Sequence, residues 1–440
     1  MSELRPRDGR AQTSRAQSRS HAGPGIARHG RLRKHNPFAT IVKVIAGAVA
    51  VVLVSGVSVA AIAAWDVASS VQPGIALDNE TNGPVPQIGA IDGGVNLLLV
   101  GSDSAQGSPD GAFGEREENL NDVTMLMHIS QDHKNVSVVS FPRDLFVDIP
   151  ECTDADGDST GDTNDKINTT LFYGGLSCTV STVEQLTGLS IPFAAEIQFN
   201  GVIEMSNAVG GVPVCVSERI EDEYTGTFLD PGMHDLSGVD ALQFLRTRHG
   251  IGDGSDLTRI SNQQVFLSSL VRTVKSSQTL TDPLKLYGLA KAAAGNMQLS
   301  NSLNNLDTMV SIALALKDVD LEEVVFVQYP TFSVDGGVEP NTDAADVLFG
   351  ALAADQPIAL SGTTGGGAVI DPNAPVDPNA PADPAVPADP NAPVDPAVPA
   401  DPNAPATPDA GTGTTVLPDA VTGQTAGQYT CSVGRTLEDQ

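Results

Sequence analysis

An uninterrupted apolar run near the N-terminus limits this chain more than any other feature. Residues 44–65 (VIAGAVAVVLVSGVSVAAIAAW) contain no charged side chain. A helix of that length crosses a hydrocarbon core of about 30 Å, since each residue adds about 1.5 Å. Trp65 closes the run, at the depth where an aromatic ring prefers the membrane–water interface. Before Phe38 the chain carries Arg5, Arg7, Arg10, Arg15, Arg19, Arg28, Arg31, Arg33 and Lys34 against only Glu3 and Asp8. Positive flanks stay in the cytoplasm, so the N-terminus is expected inside and everything after residue 70 outside the cell membrane. A cleaved signal peptide is the rival reading, but its apolar core is usually about 7–15 residues and its basic region shorter. The run is therefore read as a signal-anchor for a single-pass protein. The basic tail also suits anionic lipid or nucleic acid, although as a topology signal it needs neither.

Beyond the anchor the charge balance reverses. The formal net charge of the whole chain is −30, which excludes the outer part as a nucleic-acid binder. Boundaries follow from composition: a disordered basic tail over 1–37, a transmembrane helix over 38–66 and a turn-rich stalk over 67–92. A regularly patterned block over 93–360 is long enough for one sizeable domain. From Ser361 the sequence turns to Gly, Thr, Pro, Ala and Asp, with Asp371, Asp377, Asp383, Asp389, Asp395 and Asp401 every six residues. A repeat this rich in proline cannot bury a core, so 361–440 is expected to be an extended, disordered acidic tail. Cys152, Cys178, Cys215 and Cys431 all fall on the outer side, where disulfides persist. Cys152 and Cys178 bracket an acidic loop and are expected to pair; the sequence assigns Cys215 no partner.

Within the block, apolar runs at 95–100, 123–129, 136–141, 194–198, 212–216 and 323–329 read as strands. Helical periodicity marks 181–187, 201–209, 236–244, 257–274, 283–294 and 303–316, with Ser255 and Asp256 as capping candidates for the fourth. Strands alternating with helices predict an α/β sandwich.

Ligand sites in such sheets gather at strand ends. Asp103 lies just past one predicted strand end (NLLLVGSD) and Asp122 opens the next strand (NDVTMLMHI). Two carboxylates there suit magnesium, which completes its shell with phosphate oxygens and water; taken singly, each also reads as a turn or capping residue. Arg143 follows a strand in SFPRDLFV, where Pro142 sets the turn. Arg246 and Arg248 are two apart in FLRTRHG and would leave on one face if that segment is extended. Arg259 and Gln263 share a helix face at a spacing of four. Guanidinium forks bind two phosphate oxygens at once and keep their charge, so this set points to a phosphate site, against the plainer pairing with surface carboxylates. Other signals are weaker. Asp154, Asp156, Asp158 and Asp162 lack the glycine and glutamate of a calcium loop. His128 sits in an apolar run and reads as core. Ser102 and Ser104 form no G-x-S-x-G elbow, and no Walker loop or dinucleotide fingerprint is present.

Taken in order, NLLLVGSDS, NDVTMLMHIS, VSVVSFPRDLFVDIP, KINTTLFYGG, VEQLTGLSIPFAAEIQFNGVIEMSNAVGGVPV, LSGVDALQFLRTRHG and GSDLTRISNQQVFL resemble the LytR-CpsA-Psr family of cell-envelope proteins. The resemblance covers about residues 93–275. It implies a three-layer α-β-α fold around a mixed sheet, with an apolar tunnel for a polyprenyl tail. It implies a phosphotransferase that moves a glycopolymer from an undecaprenyl-pyrophosphate carrier to peptidoglycan through a phosphodiester link. Asp103 and Asp122 match the family's magnesium-binding aspartates, with manganese a substitute. Arg143, Arg246, Arg248, Arg259 and Gln263 match its pyrophosphate-binding positions, and Lys166 of KIN falls in a segment that lines the head-group site. Asp103, Asp122, Arg143 and Arg259 are thereby the catalytic candidates, and Asp122 or Asp144 the candidate base. One departure stands out: many members carry arginine two residues before the second aspartate, where this chain has Leu120, and Arg116 is the nearest replacement. The alternatives are hydrolysis of the same lipid-linked pyrophosphate, or a non-catalytic envelope regulator of the transcriptional-attenuator type.

Overall fold

The computed structural model describes residues 37–78, 94–103, 119–154, 156–276, 282–374 and 413–440. Most of the basic tail, residues 79–92 of the stalk, Arg116 and the Asp repeat from Asp377 to Asp401 lie outside the described residues. The chain divides into two compact units, Met1–Ala61 and Ile62–Gln440. Helix α1 (Pro37–Ser70) contains an apolar stretch, Ile41–Val67, long enough to cross a membrane.

In the second unit the chain runs through β1 (Val95–Ser102), β2 (Asn121–Ile129), β3 (Val136–Phe141), β4 (Phe146–Ile149), β5 (Thr163–Lys166), α2 (Thr170–Thr187), β6 (Phe193–Ile197) and α3 (Phe199–Val209). Next come β7 (Val212–Val216), β8 (Ile220–Asp222), β9 (Thr227–Leu229), β10 (Gly232–Leu236), α4 (Gly238–Arg246), α5 (Asp256–Lys275), α6 (Pro283–Asn296), β11 (Met297–Leu299) and α7 (Leu306–Lys317). The last part holds β12 (Val324–Gln328), β13 (Thr331–Val334), β14 (Gly337–Pro340), α8 (Thr342–Ala353), β15 (Ile358–Ala359) and β16 (Ala368–Ile370). Three short strands follow: β17 (Thr415–Val416), β18 (Gly423–Thr425) and β19 (Thr430–Ser432).

The centre is a seven-stranded mixed sheet in the order β11-β6-β1-β2-β3-β12-β18. Strand β1 is antiparallel to β2 and parallel to β6, and β3 is parallel to β12. Side chains alternate along a strand, so β1 serves two cores. Leu98 and Val100 face a cluster with Leu176, Val180 and Val183 of α2 and Leu348 and Leu352 of α8. Val95, Leu97 and Leu99 face the opposite cluster, with Leu267 and Val271 of α5 and Ile312 and Ala315 of α7. Helices thus cover both faces, giving the three-layer α-β-α sandwich. A second sheet, β10-β7-β19-β16, packs its apolar face on α5 through Val212, Val214 and Val265.

Two boundaries differ from the sequence reading. The stalk does not reach residue 67 as a separate segment. Ile75 donates its amide to the Leu299 carbonyl at 2.8 Å, and Leu77 is buried in the core. The domain also does not end at 360, because residues 413–440 are folded into it rather than disordered. β18 pairs with β12, β19 pairs with β7 and β16, and Cys431 is bonded to Cys215. Composition hid this: three-residue strands such as GQT and TCS carry too little apolar pattern to register. The second disulfide joins Cys152 to Cys178, with a Cα–Cα distance of 5.5 Å. Gly174 makes room for it, since a Cβ there would stand 2.9 Å from the Cβ atoms of both cysteines.

Candidate active site at one end of the sheet

The C-terminal end of β1 and the start of β2 carry the two candidate aspartates. Gly101 pairs with Val123 and Ser102 with Asn121, which leaves Asp122 as the extra residue of a β-bulge. A bulge turns its residue out of the normal alternation and is a common way to aim a side chain at a site. Gly101 is required opposite it: a Cβ there would lie 2.9 Å from the Val123 Cβ. Asp103 is 2% exposed and accepts the Leu120 amide at 3.0 Å, while its own amide donates to the Leu120 carbonyl at 3.0 Å. Leu120 thus grips Asp103 through its backbone.

The cations arrive from four further elements. Arg143, just after β3, donates from Nη1 to Asp122 Oδ1 at 2.5 Å, and its amide donates to Asp256 Oδ2 at 2.9 Å. Arg259, on the first turn of α5, is 2.7 Å from Asp256 Oδ1 and donates to the Asp122 carbonyl at 2.6 Å. Arg248 Nη2 lies 3.8 Å from Asp144 Oδ2, and Lys166 Nζ at the end of β5 lies 2.9 Å from Asp144 Oδ1. Asp144 is also 3.8 Å from Arg143 Nε, so these side chains form one connected cluster.

Arg246 and Arg248 do not leave an extended segment side by side. Arg246 is the last residue of α4, and the backbone becomes extended only at Thr247. Helical geometry sends Arg246 over the Phe199 ring, 4.4 Å from its centroid, whereas Arg248 turns toward Asp144. Gln263 donates to the Leu245 carbonyl at 3.1 Å and so ties α5 to α4.

Burial makes this cluster electrostatically uneven. Desolvation opposes the charge on Arg143, but Asp122, Asp256 and Asp144 outweigh it and raise its affinity for a proton. Arg248 goes the other way: desolvation, then repulsion from Arg143, push its guanidinium below its ordinary value. The Nε atoms of Arg143, Arg248 and Arg259 are all buried without a hydrogen-bond partner. Buried donors of this kind are costly unless something accepts from them.

Asp122, Arg246, Arg259 and Gln263 also line a cavity of about 250 Å³ whose remaining wall is mostly apolar. Leu99, Met125, Val202, Leu242, Phe266 and Leu289 carry it from the charged rim between the sheet, α3, α5 and α6. A larger cleft of about 480 Å³ lies on the other side of α5, between Cys215, Arg272 and Tyr429, away from the arginine cluster.

Several residues at the site are not legible as such in sequence. Asp256 is more than a helix-capping residue: Ser255 caps α5, and Asp256 instead holds Arg143 and Arg259. Asp222 of β8 is fully buried and accepts Thr247 Oγ1 at 2.7 Å and the Arg248 amide at 3.1 Å. Glu196 of β6 is buried beside the bulge; desolvation holds its carboxyl above the usual carboxylate range, opposed by hydrogen bonds with Ser102 and Asn119. No motif or periodic pattern marks Asp222 in the sequence. His128 is a core residue, at the opposite end of β2.

The cell wall biosynthesis protein LcpA of Corynebacterium glutamicum is 29% identical over 331 residues, which are 69% of this chain and 61% of that protein. This chain therefore spans less than two thirds of that relative's length. The polyisoprenyl-teichoic acid–peptidoglycan teichoic acid transferase TagT of Bacillus subtilis is 25% identical over 311 residues, 69% of this chain and 90% of its own. A solved LytR-Csp2A-Psr enzyme from Actinomyces oris shares the fold, with a TM-score of 0.50 and 23% identity over 64% of this chain and 95% of that one. The LytR_cpsA_psr family model matches residues 66–350, and the chain belongs to that family.

Proposed function

We propose that this protein is a membrane-anchored phosphotransferase that moves a glycopolymer from an undecaprenyl-pyrophosphate carrier to peptidoglycan, forming a phosphodiester. One observation carries the proposal: Arg259, whose buried Nε has no hydrogen-bond partner, lines an apolar cavity together with Arg246, and is tied through Asp122 and Asp256 to the Arg143 cluster. A diphosphate joined to a long isoprenoid is a ligand with those two halves. The names of LcpA and TagT, cell wall biosynthesis and teichoic acid transfer to peptidoglycan, support the same reading. With α1 as the anchor, the N-terminus is cytoplasmic and the domain outside, tethered to the membrane that holds its lipid.

Arg143, Arg246, Arg248, Arg259 and Lys166 supply five positive charges against the carboxylates of Asp103, Asp122, Asp144 and Asp256. That leaves too little net charge to neutralise a diphosphate diester. Two aspartates offering only oxygen atoms suit Mg2+, or Mn2+ in its place, and would hold it with Asp103 and Asp122 as ligands. Such an ion supplies Lewis-acid neutralisation of the phosphate oxygens. The arginines grip the diphosphate and stabilise the charge that gathers on the leaving polyprenyl phosphate. A sugar hydroxyl of peptidoglycan attacks the phosphorus that bears the glycan. The new O–P bond forms as the bond to the polyprenyl phosphate breaks, and the hydroxyl proton passes to Asp122 or Asp144.

The test is to incubate the purified full chain in detergent with Mg2+, a lipid-linked glycopolymer and peptidoglycan fragments. A glycan–peptidoglycan conjugate is expected. Free phosphorylated glycan would replace the transferase with a pyrophosphatase, and unchanged substrate would leave a binding or regulatory protein.

A further inference from the structure

An aromatic pair stands beside the arginine cluster without belonging to it. Tyr224, in the turn between β8 and β9, is 81% exposed, which is unusual for a ring of that size. Its neighbour is His249, the residue after Arg248; the ring centroids are 4.6 Å apart and the planes inclined by 40°. The two rings come from segments 25 residues apart and are brought together by one carboxylate. Asp222 Oδ1 accepts the amides of Tyr224 at 2.9 Å and Thr225 at 3.2 Å. Its Oδ2 accepts Thr247 Oγ1 at 2.7 Å and the Arg248 amide at 3.1 Å. Gly250 lets the strands close, since a Cβ there would stand 3.1 Å from the Asp222 Cβ.

The aromatic turn and Arg248 are thus held in fixed relation by a buried group that itself faces no ligand. Exposed aromatic rings fixed in this way offer flat apolar faces at little entropic cost. The charges around them select the occupant. Of the two acids that flank Tyr224, Glu221 is paired with Arg219 at 2.8 Å, and Glu223 disfavours a phosphate or nucleic acid there but not an uncharged ring.

We propose that Tyr224 and His249 form a subsite for the sugar ring that the donor carries directly on its diphosphate. This rests on the function proposed above. A diphosphate held by Arg248 has its first sugar one phosphoester bond away, and His249 is one residue from Arg248. The Tyr224–His249 platform packs against a C–H face of the pyranose and so favours a glycan-bearing carrier over a bare one.

Binding to the full chain in detergent tests this with two synthetic ligands: a polyprenyl diphosphate carrying one N-acetylhexosamine and the same diphosphate without sugar. Tyr224→Ala is expected to weaken the sugar-bearing ligand by about 3- to 10-fold, the scale of one aromatic stacking contact. Tyr224→Trp should retain the affinity, and neither variant should alter binding of the bare diphosphate. Because the side chain is exposed and Asp222 grips the Tyr224 backbone, the alanine variant keeps its fold. Equal loss for both ligands, or no loss for either, overturns the subsite. A loss confined to the KM for peptidoglycan fragments overturns its assignment to the donor. If the wild-type chain binds neither lipid, the proposed function itself falls.

Discussion

The two ends of the central sheet both bury polar side chains, and they treat them in opposite ways. At the end where β2 finishes, His128 Nδ1 lies 2.9 Å from Asn96 Oδ1 and its Nε2 lies 3.2 Å from Asp355 Oδ1. Asn96 donates its amide to the Ser190 carbonyl at 2.9 Å, and Asp355 also accepts the Gln131 amide at 3.1 Å. Every polar atom of His128 is thus met, although His133 Nε2 in the adjoining turn is buried without a partner. At the other end, Arg143, Arg248 and Arg259 are ion-paired on one edge, yet each leaves a buried Nε with no acceptor. A closed network stabilises the fold, whereas an open one keeps binding capacity in reserve. The proposed function assigns its ligand to the second end.

Breaking the open end should cost function. Arg248→Ala is expected to lower transfer by about 10³-fold, the lower range for removing a charge-stabilising arginine in phosphoryl transfer. Its thermal melt should stay close to wild type, because Arg248 is the cation that burial and Arg143 already disfavour. An assay showing transfer within a few-fold of wild type would remove Arg248 from the site.

The C-terminal strand joins the comparison through its contacts with α5 and the loop that precedes it. Val433 accepts the Gly252 amide at 3.0 Å, and Ser432 Oγ donates to Asn262 on α5 at 2.6 Å. Replacing Cys215 and Cys431 together by serine should lower stability by about 2–5 kcal/mol. Denaturant unfolding checks this, and a change below about 1 kcal/mol would mean that strand pairing alone holds the segment.

Breaking the closed end should cost stability and spare chemistry. His128→Ala removes a partner from both Asn96 and Asp355 and is expected to destabilise by about 1–3 kcal/mol. Transfer per folded molecule should not change. A loss of turnover without a loss of stability would erase the distinction between the two ends.

The smallest effect sharpens the comparison, because one group at the open end behaves like the closed one. Asp222 is fully buried, and its hydrogen bonds from Thr247, Arg248, Thr225 and Tyr224 outweigh desolvation and hold it below the usual carboxylate range. Its folded value is depressed, so its contribution is full above about pH 3.9, the unfolded value. It is lost as pH falls through the lower folded value. Asp222→Asn should therefore show a shallower acid-unfolding curve below about pH 4 than wild type. Identical curves would show that the carboxylate is not a net source of acid sensitivity.

Local pattern determined a great deal by itself. The apolar run at 44–65 requires a helix wherever lipid surrounds it, and α1 spans Pro37–Ser70. The segments read as strands at 136–141 and 212–216 coincide with β3 and β7. Arg259 and Gln263 line one cavity because a spacing of four repeats on any α-helix. Cys152 and Cys178, 26 residues apart around one loop, are also within reach of a local argument.

Tertiary structure decided the rest, because its information lies between distant segments. Cys215 and Cys431 are 216 residues apart, and nothing near either names the other. Arg246 and Arg248 part because α4 ends between them, a boundary finer than periodicity resolves. The bulge that aims Asp122 depends on the register of β2 against β1, and register arises only when two strands meet. The apolar anchor could be read from one stretch of sequence; the charged site needed six elements folded together before its open valences existed at all.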